Sequence, residues 1–400
     1  MWYNNRNAAI VRLDRLIQRR KFGKGAISIL RIWYNHTMCG ENLTTKTVLQ
    51  DLPGPLLAWY RANARDLPWR RTTDPYQIWV SEIMLQQTRV AAVLGYYARF
   101  LETFPTVEAL AAAPEERLMK LWEGLGYYSR ARNLKAAAIQ VMERFNGALP
   151  ASYEALLSLP GIGSYTAGAI ASIAYGIPVP AVDGNVLRVV SRILADSSDI
   201  RKASVKTSME ALLKEVMPKD CAGSYNQALI ETGALVCIPG GEPKCRECPM
   251  ESVCLTAQNG LWKKIPWKSP PKERKVEERT VFIIEYQEKA AIRKRPPKGL
   301  LASLYELPNA EGKLSPKEAE AYLAVSEDDL VCLKPLPDAR HVFSHIEWRM
   351  SGYHAVLKEP WRELPDGVFM ASREEIEKQY PLPNAFSAYR EILFKKEDGQ

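Results

Sequence analysis

Between Leu49 and about Leu255, apolar residues recur at helical spacing in short segments with clear stops. Asp74-Pro75 predicts a helix start, with an acidic N-cap and proline at the first position. The following residues, Tyr76 to Gln87, are apolar on most faces, which predicts a buried helix. Pro105, Pro114 and Gly147 punctuate later helices, and Gly176 to Pro180 interrupts the run. Asp183-Gly184-Asn185 then opens a further segment, Val186–Leu194. The pattern lapses over residues 256–279, where Pro266, Pro270 and Pro271 sit among dense Lys, Arg and Glu, and a linker is expected. Beyond it, Val281–Ile284, Leu304–Leu307 and His354–Leu357 read as strands of a second domain that mixes helix and sheet. The chain thus divides into a helical domain, 49–255, and an α+β domain, 280–393, with a polar tail from Lys395.

Composition narrows the class. Of 400 residues, 46% are hydrophobic and 25% charged, which excludes a fibrous repeat and wholesale disorder. No apolar run reaches the ~18 residues of a membrane span. The net charge of +8 suggests nucleic acid, but residues 1–37 hold eight Lys or Arg against one acid, Asp14. Seven of the eight net charges therefore lie there, and any nucleic-acid argument has to come from local motifs. This basic stretch, part of an extension over residues 1–48, has the composition of a mitochondrial transit peptide; the plainer reading is an extension without a structural role.

Three motifs carry chemistry. Leu159-Pro160-Gly161-Ile162-Gly163 predicts a tight turn before a helix, Ser164–Ala174. Backbone N–H groups at that N-terminus, with the helix dipole, suit a phosphate; a plain connecting turn is the alternative. Cys237, Cys245, Cys248 and Cys254 are four of the chain's seven cysteines. Such a cluster reads as an intracellular metal site, either tetrahedral zinc or an iron–sulfur cube, in a loop carrying Lys244 and Arg246. Glu82 lies mid-helix with Ile78 and Leu85 on its stripe, so burial is expected to keep it protonated. Asp183 stands at a helix N-terminus, which favours the anion. One neutral and one ionised carboxyl is the pairing needed to cleave a glycosidic bond. Each also has a structural reading: Asp183 as an N-cap alone, Glu82 as the partner of an arginine.

Taken together, these motifs resemble the helix-hairpin-helix DNA glycosylase superfamily, and within it the adenine DNA glycosylases of the MutY family. The resemblance runs from about Leu49 to Leu393. It rests on Asp66 to Arg70, Val80 to Thr88, Trp122 to Arg130, the LPGIG hairpin, Val182 to Val186, the cysteine cluster and Phe343-Ser344-His345. It implies an enzyme that removes adenine mispaired with 8-oxoguanine or guanine in double-stranded DNA, acting as a monomer and leaving an abasic site. Glu82 would protonate adenine N7, Asp183 would stabilise the sugar cation, and Tyr165 and Asn185 would help position them. Trp69, Arg70, Leu85 and Gln227 would line the adenine pocket. Gln87 and Tyr127 would enter the base stack, with Thr88, Gly161 and Gly163 also at the DNA. In bifunctional relatives such as endonuclease III the position of Tyr165 is a lysine; a tyrosine forms no Schiff base, so hydrolysis without an efficient lyase step is expected. The family's cysteines hold a 4Fe–4S cluster, with a first gap of six residues where this chain has seven. Location in the cytoplasm, at the nucleoid, follows if the source is bacterial, with mitochondrial targeting the alternative.

The C-terminal domain resembles the MutT-like, Nudix-fold domain of the same glycosylases. A Nudix magnesium motif started at Gly312 keeps Glu318 in register, but Ser326 stands at the arginine position and Leu330-Val331 at the metal-binding glutamates, leaving only Glu327. This domain is therefore expected to read DNA rather than cut a nucleotide. Phe343, Ser344 and His345 would probe the oxidised guanine; by pattern alone, the alternation His341, Phe343, His345 fits a strand face.

Overall fold

The computed structural model describes residues 45–324, 329–361 and 364–393. Most of the basic extension, the polar tail, and Ser326 and Glu327 lie outside these residues. The longer helices are α1 (Pro53–Asn63), α2 (Pro75–Leu85), α3 (Val90–Thr103), α4 (Ser129–Phe145), α5 (Ser164–Tyr175), α6 (Gly184–Ile193), α7 (Ala203–Val216) and α8 (Ala222–Leu235). A short helix, Thr45–Gln50, begins inside the expected extension, and Val48 is buried. Among the described residues, no helix is long and apolar enough to cross a membrane.

The chain forms two compact units, and the helical region is shared between them. Among the described residues, the first unit contains 45–78, 151–158 and 162–269. Its core joins Leu52 and Leu56, Val186, Val190 and Ile193 of α6, Met209 and Leu213 of α7, and Tyr225 and Leu229 of α8. The α6 positions recur at the three- and four-residue spacing of a single helix face, which is why that helix buries so completely. Two termini are fixed by short-range chemistry: Asp74 Oδ1 accepts from Tyr76 N at 2.8 Å, and Asp183 caps α6.

The second unit contains residues 79–150, 159–161 and the described residues from Pro270 onward. Its centre is a seven-stranded sheet of β1 (Lys275–Tyr286), β2 (Lys289–Lys294), β3 (Tyr305–Glu306), β4 (Asn309–Glu311), β5 (Leu330–Val342), β6 (Ile346–Leu357) and β7 (Val368–Ser372). The order is β3-β2-β1-β6-β5, with β4 on β1, β7 on β2, and β1 parallel to β6. Alternation along β1 separates the two faces: Val281 and Ile283 pack with Ile376, Phe386 and Tyr389, and Phe282 and Ile284 with Ala319 and Leu323.

Two boundaries differ from the sequence reading. β1 starts at Lys275, inside the expected linker, because it continues pairing with β6 down to Ile346. The segment 79–150 groups with the sheet rather than with the other helices. Its acids hold the C-terminal region: Glu123 pairs with Lys120 at 2.6 Å and with Arg390, and accepts from Leu382 N at 3.2 Å. Lys294 Nζ and Tyr305 Oη both donate to Glu116 Oε1, at 2.9 and 3.0 Å.

Candidate functional site

α2 carries Glu82. Ile78, Trp79, Val80, Ser81, Ile83 and Met84 are all buried around it in sequence, and Glu82 itself is 7% exposed. The apolar stripe expected from the sequence is present, although α2 ends at Leu85, two residues early. Gln87 has turned to φ +57° and cannot continue a right-handed helix.

Asp183 and Asn185 form a second arrangement, in the first unit. Asp183 Oδ1 accepts from Asn185 N and Val186 N, each at 2.8 Å, and Oδ2 accepts from Asn185 Nδ2 at 2.7 Å. All three contacts use the carboxylate as an acceptor, as an anion requires. Burial works against that charge and pushes the Asp183 pKa up, while these donors and the nearby Arg188 pull it down. The N-terminal donors expected from the sequence are present, and they act against a larger cost of burial. Asn185 Oδ1 in turn accepts from Arg188 Nη2 at 2.9 Å, and Arg188 Nε donates to Cys237 O at 2.8 Å. Gly233 is packed so close that a Cβ there would lie 2.7 Å from Asn185 Cβ, so a larger residue would displace the amide that holds Asp183.

The expected adenine-pocket residues divide. Trp69 and Arg70, on a short turn Pro68–Arg70, and Gln227, on α8, belong to the first unit; Leu85 belongs to the second. Arg70 is held by Glu231, which it meets through Nη1 to Oε1 at 2.9 Å and Nη2 to Oε2 at 2.6 Å. Arg65 grips the same carboxylate through Nε at 2.8 Å and Nη2 at 2.6 Å. Tyr60 Oη donates to Gln227 Oε1 at 3.1 Å, one turn before Glu231. Glu231 is fully buried. Burial raises its pKa, but the two guanidinium groups outweigh that and hold it at about 2. A depressed pKa stabilises the fold above the ordinary carboxylate range and loses that contribution as pH falls toward 2. Glu231→Ala leaves two cations facing each other, and a loss of about 3–5 kcal/mol is expected by denaturant titration at neutral pH. The gap from wild type should narrow only in strong acid; an equal gap at pH 7 and near pH 2 would contradict the pairing.

The Gly-rich turn depends on its first glycine. Gly161 takes φ +75°, and a Cβ there would lie 2.6 Å from Asn133 Cβ, so only glycine fits. Gly163 stands at the N-cap of α5 and, lacking a side chain, puts no cap on it. Tyr165 lies in the first turn of α5, partly buried.

All four clustered cysteines line a single cavity with Val189, Arg192 and Met250. Arg192 Nη1 lies 3.3 Å from Cys237 Sγ. Burial pushes the Cys248 thiol up to about 12 and raises Cys245 and Cys254 as well. These half-buried thiols would give up their protons on binding a metal. Among the described residues, no three His, Cys, Asp or Glu close on a single-ion site. Lys244 and Arg246 are both exposed on this loop.

In the second unit, Phe343, Ser344 and His345 form the turn joining β5 to β6, closed by Phe343 N to Ile346 O at 2.8 Å. The strand reading of Phe343 and His345 is overturned, because the strand ends at Val342. Phe343 packs on Trp348 at 5.0 Å and leaves Ser344 and His345 exposed. The turn lines one cleft with Tyr127, whose hydroxyl lies 3.4 Å from Ser344 Oγ. Tyr127 is 48% exposed at φ +47°. The Thr88 hydroxyl, expected at DNA, accepts from Arg130 at 3.3 Å. Glu318 is occupied too: its carboxylate accepts from Ser315 N and Oγ in a capping box, both at 2.8 Å.

Sequence reasoning missed Glu231, Arg65, Arg188 and Arg192. A lone acid in the apolar run of α8 is the one signal that was available, since a buried carboxylate requires a cation.

Comparison with known proteins gives two family matches. Residues 80–216 match the HhH-GPD superfamily base excision DNA repair proteins, and residues 280–391 match the NUDIX domain. The chain is 33% identical to an adenine DNA glycosylase of Homo sapiens, over 80% of this chain and 70% of that one. It is 33% identical to one of Buchnera aphidicola, over 73% and 82%, and 32% identical to one of Schizosaccharomyces pombe, over 84% and 88%. Among solved structures, it is similar to a thermostable thymine-DNA glycosylase (28% identity, TM-score 0.47, covering 54% of this chain and 97% of that one). It is also similar to an endonuclease III bound non-covalently to DNA (25%, TM-score 0.45, covering 53% and 98%).

Proposed function

The chain belongs to the adenine DNA glycosylase family, and from that premise we propose that it hydrolyses the N-glycosidic bond of adenine mispaired with 8-oxoguanine or guanine in double-stranded DNA. The carrying observation is the Asp183 carboxylate, held by three N–H donors against the cost of burial. A structural cap gains nothing from being desolvated, whereas a charge meant for a developing oxocarbenium ion does. Glu82 supplies the proton that turns adenine into a leaving group. Tyr165 and Asn185 keep the reacting groups in place. Trp69, Leu85 and Gln227 are assigned to contact with the extruded base, and Arg70 is held near Gln227 through Glu231. Gln87 and Tyr127 occupy the gap left in the stack, and the Gly161–Gly163 turn grips the backbone phosphate.

Phe343, Ser344 and His345 read the opposite base. Their exposed turn, beside Tyr127, supports this role over a packing one. The C-terminal domain reads rather than hydrolyses, since its best-placed motif acid is spent on a helix cap. Cys237, Cys245, Cys248 and Cys254 line one cavity and would hold a 4Fe–4S cluster, with zinc as the alternative. Such a cluster would pin the loop that presents Lys244 and Arg246.

The test is single-turnover base release from duplexes that differ only opposite the adenine. Release is expected to be roughly 100-fold faster opposite 8-oxoguanine than opposite thymine, about 3 kcal/mol of discrimination. Borohydride should trap no strong covalent adduct. Equal rates on both duplexes would refute the specificity, and an efficient trap would refute the monofunctional reading.

A further inference from the structure

Arg130, in the first turn of α4, is buried and has no acidic partner among the described residues. Its guanidinium instead gathers oxygens from two separate loops. Nη1 donates to the carbonyls of Ile83, Met84 and Gln86 at 2.8, 2.9 and 2.7 Å. Nη2 donates to the carbonyls of Leu125 and Gly126, each at 3.0 Å, and to Thr88 Oγ1 at 3.3 Å. The first set is the C-terminal end of α2, where carbonyls lack helical partners and the dipole favours a cation. The same group lies over the rings of Trp122 and Tyr127, at 5.4 and 5.7 Å. These contacts bracket Gln87 on both sides and stop one residue before Tyr127. Both residues are exposed, and both hold left-handed backbone, at φ +57° and +47°. Such conformations cost roughly 1–3 kcal/mol each in non-glycine residues and persist only when neighbours impose them.

We infer that Arg130 is a positioning residue for base extrusion, a single guanidinium that fixes the Gln87 and Tyr127 turns against each other so that both side chains enter the stack in register. This rests on the proposed reading of Gln87 and Tyr127. The planar five-donor fork is essential: a lysine keeps the charge but is a single point that cannot bind two loops at once. Burial lowers the Arg130 pKa only to about 10, so the cation persists at neutral pH.

The experiment uses the full chain and duplexes with 2-aminopurine in place of the target adenine, whose fluorescence rises when it unstacks. Arg130→Lys, folded as judged by circular dichroism and melting temperature, is expected to lose most of that rise on binding. It should release adenine roughly 100-fold more slowly from a paired duplex, the scale of a misplacement near 1 Å. The defect should shrink to roughly tenfold or less when the adenine faces an abasic site, where unstacking is easier. A folded variant with wild-type fluorescence, or with equal defects on both duplexes, overturns the inference. Thr88→Val removes one Arg130 acceptor and should shift fluorescence in the same direction by less. If the lysine variant does not fold, an unchanged signal in Thr88→Val overturns the inference instead. Gln87→Ala and Tyr127→Ala separate the two readings. Wild-type fluorescence in both sinks the stack-entry reading, whereas loss in both with none in Arg130→Lys sinks the role of Arg130 alone.

Discussion

Asp183→Asn is expected to slow adenine release by roughly 1,000-fold while leaving the melting temperature unchanged or higher. Asparagine is as good an N-cap as aspartate, and its carbonyl oxygen can keep the contacts from Asn185 N and Val186 N. What it loses is the charge and the hydrogen bond from Asn185 Nδ2, which then faces a second donor and has to turn away. The sign of the stability change follows from the raised pKa. A raised carboxyl pKa means that ionisation costs more in the fold than in the unfolded chain, so at neutral pH wild type bears a penalty that the neutral amide lacks. That gain offsets the lost hydrogen bond, worth about 1 kcal/mol. A purely structural cap gives the opposite pair of results, with activity retained and stability equal or reduced. Thermal denaturation and single-turnover kinetics on one preparation decide between them.

Glu82→Gln is expected to reduce release by roughly 1,000-fold or more, with DNA affinity within a few-fold of wild type. Glutamine matches glutamate in shape, so the α2 packing of Ile78, Trp79, Ile83 and Met84 should survive. It has no acidic proton to give, and unprotonated adenine is a poor leaving group. Equilibrium binding alongside base release separates the loss of a proton donor from loss of the site. A parallel fall in affinity and rate would mean that Glu82 holds structure rather than chemistry.

How much of this was legible in the sequence depended on range. The α2 and α6 starts, the cysteine cluster and the Gly161 turn were readable because each is set by residues within a few positions: an acid before a proline, a capping aspartate, thiols at fixed spacing, a glycine with positive φ. The Arg70–Glu231 pair was not readable, since its members stand 161 positions apart and the lone acid in α8 does not say which cation meets it. Arg130 was visible only as part of a motif, because what makes it informative is six oxygens from two loops. The Phe343 turn was misread by pattern alone, since period-two alternation continues smoothly through a hairpin whose closing bond, Phe343 N to Ile346 O, leaves no mark on residue types. The division of the helical region was hidden for the same reason: Glu116 and Glu123 look like ordinary surface acids until Lys294, Tyr305 and Arg390 are placed beside them.

The most direct measurement is free adenine, quantified chromatographically, released in a single turnover from a duplex with adenine opposite 8-oxoguanine, with wild type and Glu82→Gln each at saturating concentration. Wild type is expected to convert the duplex to free adenine and an intact, alkali-labile strand while the variant binds and releases almost none in the same interval. Tight binding with no adenine from wild type, or equal release by both proteins, would contradict the assignment of this chain's chemistry to its buried carboxyl groups.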